Sequence, residues 1–322
     1  HLPRALGVAF AIGRARRLRG PVRTAWPEDA IAVCSFGDAS ANHSTAQGAI
    51  NAACYTAHGG LAVPLLLVCE DNGWGISVPT PSGWIEASLG GRQGLRYVQV
   101  DGTDPVGVYE ATGELADYVR TAARPALLHL RCVRYLGHAG TDVESGYRSA
   151  GSIRRDYERD PILATARQLT VAGVCAPAEL VDRYLAARRS VRDTAIDMVG
   201  EPTLRSVDEV VAPLSPRRPA ETARVAARPA AADVRRAAFG AALPEDEGRL
   251  TLAESINRAL ADVLAAQPGA LVFGEDVGTK GGVYGVTRGL QKRFGAARVF
   301  DSLLDEQSVL GIALGAGVSG LL

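Results

Sequence analysis

Two side chains in this sequence have the type and the setting of a metal site. Asp38 follows an apolar run in "SFGDASANHS" (35–44), and Asn72 follows the next one in "LLLVCEDNGWGIS" (65–77). Both stand just beyond the carboxyl ends of predicted strands, the place where open α/β sheets put their ligands. A carboxylate and an amide offer hard oxygen atoms suited to Mg2+, which takes one or two protein groups and completes its octahedron with phosphate oxygens and water. A helical pattern opening near Ser40 points backbone N–H groups at the same spot and favours an anion there. Metal ligands and a helix start together read as a diphosphate site. Taken alone, Asp38 reads equally well as a cap for the helix that follows.

The elements that must position these groups follow from the apolar pattern. Short apolar runs at 31–36, 65–69, 97–100 and 126–133, flanked by Gly, Pro or Asp, predict buried parallel strands. Helical spacing at 46–57, with Ile50, Ala53, Cys54 and Ala57 on one face, and at 106–122 alternates with them. Strands alternating with helices argue for an α/β layered domain, extended by helices near 162–169 and 178–199. From 200 to 248 the character changes. Pro202, Pro213, Pro216, Pro219, Pro229 and Pro244 punctuate an Ala/Arg-rich stretch that reads as a solvated linker holding one short helix. A second α/β unit then opens with a helix over 251–266, a strand over 270–273 and a Gly-rich turn over 274–285. The expected division is thus 1–200, a linker over 201–249, and 250–322.

Bulk properties narrow the function classes. Lys plus Arg and Asp plus Glu balance at 35 each in 322 residues, so nothing global points to nucleic acid or to an anionic membrane. No apolar stretch reaches the roughly 20 residues needed to span a bilayer. The opening residues do not form a signal peptide, because the arginines follow the apolar run rather than precede it. Cys34, Cys54, Cys69, Cys132 and Cys175 form no CxxC pair, and three lie in apolar runs, which reads as a reduced, cytoplasmic protein. Both ends look cut, the second inside an apolar helical pattern.

"GDASANHSTAQGAIN" (37–51) and "CEDNGWGISVPT" (69–80) resemble the thiamine diphosphate motif in the α subunit of 2-oxo acid dehydrogenases, the first component of those complexes. The resemblance continues in "RYLGHAGTDVESGYRS" (134–149) and "RDPI" (159–162). Beyond the linker, "TLAESINRAL" (251–260), "GEDVGTKGGVYGVTRGL" (274–290) and "RVFDSLLDEQSVLGIALGAG" (298–317) resemble the opening of the β subunit. The resemblance implies α and β portions fused in one chain. It implies a three-layer, transketolase-like fold with helices on both faces of a parallel sheet, followed by the start of a second similar domain. Four departures stand out. Ala39 replaces the third Gly of GDG, Asp71 replaces the first Asn of NN, and the interval between the metal ligands is longer, an excess expected to loop out at 56–60. Ala139 occupies the position where regulated pyruvate-type members carry a phosphorylated Ser.

By the same resemblance, Asp38 and Asn72 bind Mg2+ through side chains and Trp74 through its carbonyl. Ala39 and Ser40 adjoin the diphosphate, Ile76 and Ser77 line the cofactor, and His138 hydrogen-bonds the diphosphate from a loop. Glu306, at the start of a helical pattern, faces the aminopyrimidine as a carboxyl kept protonated by an apolar setting. Glu275 and Asp276 line the same channel. The family's catalytic His of the β portion would lie beyond Leu322. The implied activity is oxidative decarboxylation of a 2-oxo acid, branched-chain type favoured. The acyl group passes to the lipoyl domain of a dihydrolipoyl acyltransferase, and fused chains pair as dimers. The alternatives are a pyruvate-type enzyme, a transketolase-like enzyme, for which no sugar-phosphate-binding residues are found, and a degenerate cofactor-binding scaffold, against which the intact set of Asp38, Asn72, His138 and Glu306 argues.

Overall fold

The computed structural model describes residues 1–18, 22, 24, 26–213, 218–240 and 242–322. Pro216, one of the prolines of the expected linker, lies outside the described residues. Contacts divide the chain into two units, 1–158 with 229–322, and 159–228.

Within the first unit, β1 (Ala32–Gly37), β2 (Leu65–Asp71), β3 (Arg96–Asp101) and β4 (Ala126–Arg131) form a wholly parallel sheet in the order β1-β2-β4-β3. The apolar runs of β2 and β4 are buried on both faces, as the inner strands of a parallel sheet covered by helices require, whereas β1 buries one face and leaves Val33 exposed. Helix α2 (Ser44–His58) lays Ala46, Ala49, Ile50 and Ala53 over Leu65, Leu67 and Leu127 on one face. Helix α3 (Pro105–Ala122), capped by Asp104, lays Ala111, Leu115 and Val119 over Leu66 and Leu128 on the other. The three layers are those expected. The excess over the family interval is not a loop at 56–60: α2 runs through His58, and only Gly59 and Gly60, the latter at φ +80°, turn the chain. Glycine can take that conformation and so end the helix.

Helix α1 (Leu2–Ala15) was not foreseen. It buries Leu6, Ala9 and Phe10 beside β1 and α2, each large side chain contributing about 2 kcal/mol. Its other contact is with α12 (Glu306–Val318), and the two helices cross at glycines. A Cβ on Gly315 would stand 2.4 Å from the Gly7 carbonyl carbon, and one on Gly7 would stand 2.4 Å from the Gly311 oxygen. The Arg14 guanidinium lies over the rings of Phe10 and Phe300, 4.7 and 4.1 Å from their centroids, which are themselves 5.6 Å apart. Burial, followed by the nearby charge of Arg17, lowers its pKa to about 10.

The later part of this unit holds α9 (Ala232–Phe239), α10 (Leu252–Ala266), β5 (Val272–Gly274), α11 (Leu290–Phe294) and β6 (Val299–Asp301), with β5 and β6 paired in parallel. Thr251 and Glu254 form a capping box on α10. Residues 201–249 carry more helix than the single one expected. Helices α7 (Val207–Val211) and α8 (Pro219–Ala226) belong to the second unit, and α9 to the first. Arg235 ties α9 to α10 by pairing with Asp262 at 2.7 Å and with Glu245 at 2.8 Å. In the unit 159–228, α4 (Ala150–Glu158) having ended, α5 (Pro161–Val171) starts on an Asp160 cap. It faces α6 (Pro177–Met198) across a cleft lined by Ile162, Leu169, Leu180 and Tyr184. Among the described residues no helix is long and apolar enough to cross a membrane. None of the five cysteines forms a disulfide, and Cys34, Cys54 and Cys69 are buried.

Candidate diphosphate and metal site

Asp38 leaves β1 and is 1 % exposed. Its Oδ2 accepts a hydrogen bond from the Thr80 hydroxyl, and its Oδ1 is buried with no partner. Burial pushes its pKa up, the Thr80 bond opposes this, and the nearby Asp71 charge adds to the rise. A buried carboxylate oxygen left open is costly, and a bound cation would satisfy it. Ala39, in helical conformation, puts its Cβ 3.4 Å from where a side chain on Gly75 would begin, so the two strand ends touch through small groups.

The helix expected from Ser40 is a single 3₁₀ turn, Ser40–Asn42. His43 breaks it with extended backbone (φ −65°, ψ 135°) and caps α2 by accepting from the Thr45 N–H at 3.2 Å. Ser40 is exposed at the start of that turn.

At the end of β2 two side chains fold onto their own backbone. Asp71 Oδ1 accepts from Gly73 N–H at 2.9 Å, and Asn72 Oδ1 accepts from Trp74 N–H at 3.0 Å. The chain then doubles back: Gly75 N–H donates to Val78 O at 2.8 Å, and Thr80 N–H to Gly73 O at 2.9 Å. This small hairpin delivers Thr80 to Asp38. Ile76, 62 % exposed, and Ser77 form its tip.

The loop 134–149 locks that hairpin. Arg134 donates to the carbonyls of Gly75 and Ile76 at 2.8 and 3.0 Å and to the Tyr147 hydroxyl at 2.8 Å. Tyr147 donates to Asp142 Oδ2 at 2.7 Å, which also accepts the His138 backbone N–H at 2.6 Å. These two donors hold the Asp142 carboxyl below its ordinary pKa. Arg148, its side chain 2 % exposed, pairs with Glu144 at 2.9 Å and with Asp156. Its guanidinium lies 5.0 Å from the Trp74 ring, against which Tyr147 also packs at 5.7 Å. The His138 ring is exposed. The structure therefore brings Asp38, Ala39, Asn72 and Trp74 together, and links the His138 loop to them.

Glu306 is the first residue of α12 and is exposed, so the apolar setting expected to keep its carboxyl protonated is absent from its surroundings here. Its neighbour Asp305 puts Oδ2 3.2 Å from where a Cβ on Gly48 would stand, which brings the start of α12 against α2. Asp276, at φ 58°, pairs with Lys280 inside its own loop, and Glu275 is exposed. Thr80, His129, Arg134, Asp142, Tyr147 and Arg148 carry much of this geometry and were not singled out from the sequence. Buried or paired charges inside a Gly-rich loop were the available signal. Among the described residues no cluster of three or more His, Cys, Asp or Glu could hold a metal, so a cation here would rest on one carboxylate, an amide and a carbonyl.

The parallel three-layer sheet, with its polar groups at the strand ends, defines an α/β cofactor-binding class. A transketolase from Leishmania mexicana has a related fold, with a TM-score of 0.50 at 15% identity over 99% of this chain and 45% of that one. The family model "Dehydrogenase E1 component" matches residues 4–202, and "Transketolase, pyrimidine binding domain" matches residues 249–322. The chain belongs to the dehydrogenase E1 component family. It is 31% identical over 176 residues to the 2-oxoisovalerate dehydrogenase subunit alpha, mitochondrial, of Caenorhabditis elegans, covering 53% of this chain and 37% of that one. It is 51% identical over 72 residues to a pyruvate dehydrogenase E1 component subunit beta of Staphylococcus epidermidis, covering 22% of each. Likenesses to an α and to a β subunit thus fall in one chain, which spans well under half the length of either relative.

Proposed function

We propose that this chain holds thiamine diphosphate through Mg2+ and serves the oxidative decarboxylation of a 2-oxo acid of the branched-chain type. The observation that carries the proposal is the Asp38 carboxylate, buried, with one oxygen fixed by Thr80 and the other open beside the Asn72 turn. Membership of the E1 family supports it. In this reading residues 1–200 grip the diphosphate and metal, 201–249 connect, and 250–322 begin the pyrimidine-binding part.

Asp38 Oδ1, Asn72 Oδ1 and the Trp74 carbonyl hold the metal, which offsets the diphosphate charge. Ala39 and Ser40 border the phosphates, and Ile76 and Ser77 line the cofactor from the hairpin tip. His138 donates a ring N–H to a phosphate oxygen. Arg134 and Arg148 keep the hairpin and Trp74 in place. Glu306 would face the aminopyrimidine and hydrogen-bond it through its carboxyl, for which the rest of the pyrimidine-binding part would have to supply the apolar cover that Glu306 lacks in this chain. When bound, the cofactor supplies an electron sink for the pair released as CO2 leaves. The acceptor would be the lipoyl disulfide of a dihydrolipoyl acyltransferase, which would be reduced as it takes the acyl group. Fused chains assemble as dimers. The branched-chain preference draws on "NGWGIS" and "GEDVGTKGGV" and on the C. elegans relative, and the S. epidermidis relative favours a pyruvate-type reading.

Calorimetry with thiamine diphosphate in Mg2+ tests the site: the parent binds, and Asp38→Ala loses binding. Equal affinity in the two overturns the reading. A panel of 2-oxoisovalerate and pyruvate on the full-length protein, with CO2 release followed through a dye acceptor, decides the substrate.

A further inference from the structure

We propose that His129 is a positioning residue for the metal-side turn, acting through Asp71; this rests on the reading of the site given above. His129 sits in the middle of β4, 1 % exposed. Register pairs it with Cys69 on β2 and with Gln99 on β3, so Asp71 and Tyr97 lie diagonally from it on the same face of the sheet. Its Nε2 lies 2.9 Å from Asp71 Oδ2 and its Nδ1 lies 2.6 Å from the Tyr97 hydroxyl, whose oxygen is also 3.1 Å from Gln99 Oε1. Three strands are thereby tied, side chain to side chain, to one carboxylate.

That carboxylate is the hinge between sheet and turn. While Oδ2 is held by His129, Oδ1 accepts the Gly73 N–H and sets the curvature from which Asn72 and Trp74 project. Without the His129 bond, Asp71 has a competing cation in Arg131, whose Nε is 3.9 Å away at the exposed carboxyl end of β4. Turning toward Arg131 would release Gly73 and shift both Asn72 Oδ1 and the Trp74 carbonyl. The partners that orient metal-binding groups commonly set affinity by a factor of about 10–100. A buried histidine bonded at both nitrogens has no apolar packing role that a Phe of similar size would fail to fill.

The test uses the full chain with saturating thiamine diphosphate and Mn2+ as the probe, with free Mn2+ read by electron paramagnetic resonance and folding by circular dichroism. His129→Phe is expected to weaken Mn2+ binding about tenfold or more. His129→Gln, which keeps an N–H donor at the Nε2 position, is expected to stay within about twofold, a rescue that mere volume filling would not give. Asp71→Ala is expected to weaken binding at least as much, and the double variant to be no weaker than Asp71→Ala, since one bond is lost only once. Unchanged Mn2+ affinity in His129→Phe, or in Asp71→Ala if the first does not fold, overturns the role of His129 while the metal site stands. Additive losses in the double variant overturn the route through Asp71. A parent that binds no Mn2+ overturns both the site and this inference.

Discussion

Thr80 donates its hydroxyl hydrogen to Asp38 Oδ2 and thereby makes Oδ1 the open, buried oxygen of the pair. The donor comes from the far leg of a hairpin whose near leg carries Asn72 and Trp74, so one local fold aims the carboxylate and presents its companions. Thr80→Val keeps the shape and removes the donor. Titration calorimetry should show Mg2+-dependent thiamine diphosphate binding weakened about tenfold, with the fold intact. Unchanged affinity would mean that Asp38 is oriented by its backbone alone.

Glu306→Gln in the full-length protein should still bind cofactor, yet slow hydrogen–deuterium exchange at the thiazolium carbon, because an amide is a poorer proton donor to the pyrimidine than a carboxyl. An exchange rate equal to the parent's would leave Glu306 as an acid favoured by the dipole at a helix start.

Arg148 is buried between Glu144 and Asp156. Arg148→Met removes a charge whose two partners stay behind, so chemical denaturation should report a loss of about 3–5 kcal/mol, well beyond a surface pair. The Trp74 ring would lose its cover, and its fluorescence should shift to longer wavelength. A stability within about 1 kcal/mol of the parent would show that the pair is merely superficial.

The cysteines should differ in reactivity. Burial pushes the Cys34, Cys54 and Cys69 thiols upward, so at neutral pH their nucleophilic thiolate is scarcer than in a free cysteine. Cys175 is only half-buried. Mass-resolved labelling with a disulfide reagent should modify Cys175 well before the buried three. Early labelling of Cys69 would contradict the packed sheet.

β2 and β4 were legible because strands buried on both faces must be written as continuous apolar runs, and they differ from their sequence expectations only at the ends. Asp38 and Asn72 were legible because strand ends are where ligands go. Thr80 was not, since nothing in "SVPT" says that the chain folds back by one short hairpin. His129 was hidden for a similar reason: its meeting with Asp71 depends on β4 lying between β2 and β3, an order no local pattern records. Helix α1 could have been read from Leu2, Leu6, Ala9 and Phe10, whose spacing is helical. Glu306 shows the opposite limit, because its motif names a residue without naming its surroundings.

The backbone contact between Gly7 and Gly315 has a consequence for biosynthesis. Gly7 and Gly315 lie about 300 residues apart in sequence, so the loop closed by their meeting is long. Its closure entropy grows only logarithmically, but contacts this distant in sequence slow folding. On the ribosome Leu6, Ala9 and Phe10 of α1 can pack on β1 and α2 as these emerge, whereas its Gly7 face stays open until α12 has cleared the exit tunnel. Nascent chains stalled before residue 306 should therefore leave the Gly7 side of α1 open to protease, and close it once α12 arrives.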